Sequence, residues 1–141
     1  MSDLLAFGRD ILAKQSFSRQ LGTALDVLTP GHAELSLPID ADLMQHQASV
    51  HGGVLAYLAD NALAFAGGSL FGDIVTVELK INFTRPARGT KLRAIADVLH
   101  RSGAQAVCRC DVFCETDAGP VLCAAAQGTV RRPTERTDAR T

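Results

Sequence analysis

The segment His51-Gly52-Gly53-Val54-Leu55-Ala56-Tyr57-Leu58-Ala59-Asp60 holds the residues best suited to chemistry in this chain. Two glycines open an apolar helical pattern, and one carboxylate follows two turns later. Glycines at a helix start leave backbone N–H groups that no side chain shields. With the helix dipole behind them, those donors suit a carbonyl oxygen that gains negative charge during a reaction. A lone acid among Ala, Leu and Val is costly unless it is paired, hydrated or chemically used. One segment therefore offers both halves of an acyl-transfer site: Gly52 or Gly53 as donor, and Asp60 as acid.

Spacing limits how the two halves cooperate. Residues seven or eight apart are separated by roughly 10–12 Å along a helix axis. A general base or nucleophile must lie within about 3 Å of its reacting atom, or one water away. The oxyanion donors must lie equally close to the oxygen. One copy of the helix has difficulty serving a single carbonyl with both. Two antiparallel copies related by a two-fold axis bring the donor end of one to the acid of the other and create two equivalent sites. The segment therefore predicts a homodimer with sites shared between subunits.

The surrounding elements must hold this helix. Leu4, Leu5, Gly8, Ile11 and Leu12 fall at helical spacing and predict a short amphipathic helix over 4–15. Residues 22–29 and 33–39 alternate on either side of Pro30-Gly31, which reads as a hairpin. Residues 40–50 read as a polar loop. From about 52 to 67, Val54, Leu58, Ala62 and Phe65 repeat at helical spacing with Asp60 as the one charge, so this helix should be buried. Gly67-Gly68 is the expected stop. Four period-two runs follow, at 74–84, 90–100, 104–115 and 121–131, with turns at Ser102-Gly103 and Asp117-Ala118-Gly119-Pro120. The order predicts one α+β domain over 1–131, an antiparallel sheet of about six strands wrapped around one long central helix. Residues 132–141 read as a polar tail.

Composition narrows the partners. A net charge of −1 among 141 residues gives no basis for binding nucleic acid or an anionic membrane. No apolar run approaches the roughly 20 residues of a membrane span, and Met1-Ser2-Asp3-Leu4-Leu5 lacks the marks of a secretory signal. The expected compartment is the cytoplasm. Cys108, Cys110, Cys114 and Cys123 lack zinc-site spacing, and the first three share strand parity, so they are expected as reduced apolar core residues. His32 and His46 are expected in surface loops. No Gly-x-Ser-x-Gly elbow, phosphate-binding loop or dinucleotide fingerprint occurs in the sequence.

His51-Gly52-Gly53 followed by Leu58-Ala59-Asp60, together with the run from Val75 to Ala87, resembles the hotdog-fold acyl-CoA thioesterases of the phenylacetate-degradation type. The resemblance covers about residues 20–130. It implies a hotdog fold, edge-to-edge dimers or tetramers, and active sites between subunits. It implies Asp60 as general base on water or nucleophile on the thioester. Gly52, or else Gly53, falls where a backbone N–H polarises the carbonyl, His51 where a histidine supports the loop, and Thr76 where a hydroxyl orients water. Gln45 stands where the family often has asparagine; it carries the same amide on a longer stem. Arg85 and Arg88 flank Pro86-Ala87 and could meet the phosphates of coenzyme A. The implied reaction hydrolyses an acyl-CoA, aryl or medium-chain, to the free acid and coenzyme A. It needs no metal and no cofactor beyond the coenzyme A of the substrate.

Structural alternatives stand beside each role. Asp60 suits a paired structural acid, His51 a cap, Thr76 an ordinary strand residue, and the arginines a solvated turn. Tyr57 and Phe65 suit core packing or an acyl pocket. Two other functions share the fold: a non-catalytic acyl-CoA-binding or sensing protein, and a hydratase or dehydratase. Release of free thiol from acyl-CoAs separates hydrolysis from both.

Overall fold

The computed structural model describes residues 2–134. Of the expected tail, Arg132, Pro133 and Thr134 are exposed and form no regular element, and the rest lies outside the described residues. The elements are α1 (Ser2–Ala13), α2 (Ser16–Leu21), β1 (Ala24–Thr29), β2 (His32–Pro38), α3 (Gly52–Phe71), β3 (Val75–Phe83), β4 (Lys91–Ser102), β5 (Gln105–Thr116) and β6 (Gly119–Arg131). A short 3-10 turn, Ala41–Leu43, and an isolated Met44–Val50 bridge organise the loop before α3.

All strand pairs are antiparallel, and the six-stranded sheet runs β1-β2-β4-β5-β6-β3. The chain leaves β2, crosses the sheet as α3, and enters it again at the far edge as β3. This is the hotdog arrangement. Period two decides which side chains meet the helix. Leu35, Leu37, Leu92, Ala94, Ala96, Cys108, Cys110, Val112, Ala124 and Val130 point inward and are buried against Leu55, Leu58, Ala62, Leu63 and Ala66 of α3. Each fully buried leucine contributes about 1.5–3 kcal/mol. The many inward alanines let the sheet backbone curl close to the helix.

Three expectations need correction. Gly67-Gly68 does not stop α3, which continues to Phe71 and ends at Gly72 in a positive-φ conformation, its N–H bonded to Gly68 O. Gly67 serves packing instead: a Cβ there would lie 2.3 Å from Val130 Cγ2. The extended helix has the length and composition of a membrane span, contrary to expectation, but it is the central helix on the inner face of the sheet. A second short helix, α2, was not expected. It ends where Gly22 adopts a left-handed conformation and donates to Ser18 O and Arg19 O.

Smaller differences follow local geometry. Gly119 and Pro120 belong to β6, and the hairpin turn is Asp117-Ala118 alone. His32 is the first residue of β2 rather than a loop residue, held by carboxylates on both sides. All four cysteines are buried and unpaired.

Candidate active site

The start of α3 is shaped by His51. Its backbone is extended (φ −57°, ψ 133°), and its Nδ1 accepts the Gly53 N–H at 2.9 Å. The ring is thereby fixed as the tautomer protonated on Nε2, since Nδ1 acts as acceptor. The His51 N–H donates to Leu43 O, and its carbonyl accepts the Val54 N–H. Gly53 is therefore capped. The Gly52 N–H has no hydrogen-bond partner among the described residues and is the open donor at this helix start.

Gly52 borders an open groove of about 330 Å³ together with Gln45, Ser49, Phe83, Arg85 and Arg88. A Cβ at Gly52 would lie 3.3 Å from the Phe83 ring, so the glycine lets that aromatic sit over the helix start. Gln45 braces the loop: its Nε2 donates to Ser49 Oγ at 2.6 Å, and its Oε1 accepts the Gln47 N–H. Val50 N–H donates to Ala87 O, which docks the arginine-bearing turn onto this loop. The Arg85 and Arg88 side chains are exposed and make no hydrogen bond or ion pair among the described residues.

Asp60 lies two turns along α3, outside this groove, and is partly exposed. Thr76 Oγ1 donates to its Oδ1 at 2.8 Å. A bulge between Thr76 and Glu78 interrupts the pairing of β3 with β6 at this point. Bulges re-aim side chains, and this one sits beside the residue that turns toward the helix. One protomer thus assembles two separate groups: Gly52, Gln45, Arg85 and Arg88 at one end of α3, and Asp60 with Thr76 further along it. The axial separation of Gly52 and Asp60 is about 12 Å at 1.5 Å per residue.

A polar cluster beside the site was missed. Asn61 Nδ2 reaches Gln15 Oε1 at 3.1 Å and Tyr57 OH at 3.3 Å, while Ser18 and Thr23 hydroxyls bond to the same Tyr57 oxygen. Phe17 packs edge-on against the Tyr57 ring at 5.0 Å. This ties α2 to α3 and makes Tyr57 a polar anchor as much as a packing residue. The available signal was Tyr57 and Asn61 four apart on one face of an apolar helix. No group of three His, Cys, Asp or Glu side chains able to hold a metal occurs among the described residues.

The family model for the thioesterase superfamily matches residues 47–121, more than half of the chain. The chain belongs to the thioesterase superfamily. A Halobacterium salinarum protein that bears an esterase name is 30% identical over 122 residues, spanning 79% of this chain and 80% of that protein. Acyl-coenzyme A thioesterase PaaI of Escherichia coli is 33% identical over 85 residues, 60% of this chain and 61% of PaaI. Among solved structures, a thioesterase family protein from Silicibacter pomeroyi superposes with a TM-score of 0.87 at 29% identity, covering 91% of this chain and 96% of the other. In this thioesterase the matched span contains His51, Gly52, Gly53, Asp60, Thr76, Arg85 and Arg88, and begins just after Gln45.

Proposed function

We propose that this thioesterase hydrolyses an acyl-CoA, aryl or medium-chain, to a free acid and coenzyme A, in two equivalent sites shared between paired protomers. The observation that carries the reading is the way β3 connects the two groups. At its start Thr76 bonds Asp60, and at its end Phe83 lies against Gly52. β3 is an edge strand of the sheet, and Val75, Val77 and Phe83 on it are 40%, 50% and 55% exposed. A long edge strand that exposes apolar side chains on alternate positions is open to pairing with another strand. Antiparallel pairing of two β3 strands about a two-fold axis near Leu79-Lys80 lays the Thr76 end of one against the Phe83 end of the other. Asp60 of each protomer then approaches the Gly52 N–H of the partner subunit.

In this arrangement the Gly52 N–H holds the thioester carbonyl oxygen. Such a donor contributes about 3–4 kcal/mol to the transition state. Asp60 takes a proton from water as that water attacks the carbonyl carbon, or attacks the carbon itself to form an anhydride that water then hydrolyses, while Thr76 keeps one carboxylate oxygen oriented. The C–S bond breaks, the thiolate gains a proton, and the acid leaves. His51 keeps the helix start in shape, Gln45 braces its loop, and Arg85 and Arg88 face the phosphates of coenzyme A as charge-assisted donors. The scheme uses no metal and no redox cofactor. Four unpaired cysteines fit a reducing cytoplasm.

A panel of acyl-CoAs, including phenylacetyl-, benzoyl- and octanoyl-CoA, assayed by release of free thiol tests the reading. Turnover is expected with at least one. Tight binding of the panel with no thiol released would replace hydrolysis with a binding role.

A further inference from the structure

We propose that the cleft between α1 and the C-terminal half of α3 receives the acyl group, and that it selects neutral apolar acyl groups of medium length over short or anionic ones. This rests on the hydrolase reading above and specifies its substrate. The cleft has a volume of about 420 Å³, within the roughly 300–1,000 Å³ of small-molecule pockets. Leu4, Phe7 and Ile11 of α1 form one wall, and Ala64, Gly68 and Ile74 form the other.

Its position follows from the reacting groups. Ala64 and Gly68 stand four and eight residues beyond Asp60, on the same stripe of α3. Ile74 stands two residues before Thr76, the hydroxyl bonded to Asp60. The cleft therefore opens one helical turn beyond the Asp60–Thr76 pair, along a stripe that carries only a methyl and a hydrogen. Gly68 is not required by packing: a Cβ there would lie at an ordinary 3.8 Å from Ile74 Cγ1. A glycine inside a helix is unfavourable relative to alanine, and here its effect is to keep the stripe open.

The wall chemistry sets the occupant. Ser69 has its hydroxyl engaged, donating to Ala66 O at 2.6 Å and accepting the Gly31 N–H at 2.8 Å. The one ionisable side chain lining the cleft is Asp73, and it repels an anionic tail. Phe7 stands 60% exposed at the mouth, an aromatic with no covering partner among the described residues. An uncharged alkyl or aryl group fits these walls, and a dicarboxylic acyl group does not.

The test compares acetyl-, octanoyl-, phenylacetyl- and adipoyl-CoA with wild type, Gly68→Leu and Phe7→Ala, after confirming folded circular dichroism spectra. Wild type should favour octanoyl- and phenylacetyl-CoA over the other two. Gly68→Leu fills the stripe and should lower kcat/KM for octanoyl-CoA about tenfold or more relative to acetyl-CoA. Phe7→Ala alters an exposed wall, so folding is not at stake, and should raise KM for octanoyl-CoA selectively. Calorimetric binding of the octyl thioether of coenzyme A, against the methyl thioether, reads the same preference without turnover. An acyl profile and a thioether preference that neither variant alters would overturn the cleft assignment and leave the hydrolase reading intact. Thioether preference sensitive to Gly68→Leu, with no thiol released from any acyl-CoA, would sustain the cleft and remove the hydrolase.

Discussion

Thr76 Oγ1 holds Asp60 Oδ1 at 2.8 Å, joining the start of an edge strand to the middle of the central helix. One carboxylate oxygen is thereby fixed and the other is left for water or substrate. Asp60→Asn keeps the shape and the threonine contact but removes the carboxylate that the proposed mechanism uses. Turnover of the preferred acyl-CoA should fall about a hundredfold or more, with an unchanged melting temperature. Thr76→Val removes one hydrogen bond worth about 1 kcal/mol and should cost about fivefold in kcat, which Thr76→Ser should restore. Steady-state kinetics by thiol release give both comparisons.

Gly52→Pro deletes the open donor with little other change. Position N1 of a helix tolerates proline, Gly52 has negative φ, and His51 already has the extended ψ of 133° that a residue before proline prefers. A Cβ at position 52 would lie 3.3 Å from the Phe83 ring, which must give by a few tenths of an ångström. The variant should fold and lose about 10²–10³ in kcat. Co-refolding it with Asp60→Ala tests site sharing. Half of randomly formed dimers are mixed, and each mixed dimer holds one intact site, so about a quarter of wild-type activity should return. No recovery would place the donor and the acid in the same protomer.

Much of this was legible because each signal was local. Period two in β3 to β6 and the apolar run of α3 follow from which face must be buried, and the six strands lie where alternation placed them. Asp60 stood out as the one charge in an apolar helix. What could not be read depended on contacts distant in sequence. Gly67 resembled a helix stop because its partner, Val130, lies 63 residues away on β6. The Gln15–Ser18–Tyr57–Asn61 cluster joins α2 and its N-cap to α3, a placement that only tertiary packing decides. The choice of Gly52 over Gly53 as the open donor is local instead, since the ring of His51 two residues away caps Gly53.

Gly67→Ala tests the packing account of that glycine. The added methyl would meet Val130 Cγ2 at 2.3 Å. Overpacking of about 1–3 kcal/mol should outweigh the roughly 1 kcal/mol that alanine gains over glycine in a helix. Thermal unfolding should show a lower melting temperature, partly restored by adding Val130→Ala. A stabilised single variant would mean that Gly67 has no packing role.

Burial pushes the thiols of Cys108 and Cys114 up to about 11 and that of Cys110 to about 12, and raises Cys123 as well. Thiolate is the reactive form. A chromogenic disulfide reagent at about pH 8 should therefore leave all four unmodified in the folded protein and titrate all four in denaturant. Rapid modification of any one under native conditions would contradict the inward placement of its strand face.

His32 makes stability depend on pH. Its Nδ1 lies 2.6 Å from Asp97 Oδ1 and its Nε2 3.1 Å from Glu34 Oε1. The hydrogen bond to Asp97 raises its pKa above 6.5; burial opposes this, and Glu34 adds to it. Folding therefore tightens proton binding at this ring. The stabilisation is fully present below 6.5 and is lost as pH rises through the raised folded value. Urea unfolding of wild type and His32→Gln at about pH 5.5 and about pH 8.5 isolates the effect, since other groups contribute equally to both chains. The difference in midpoint between the two proteins should be larger at the lower pH. Equal differences at both pH values would show that His32 binds its proton no more tightly in the folded protein than in the unfolded chain.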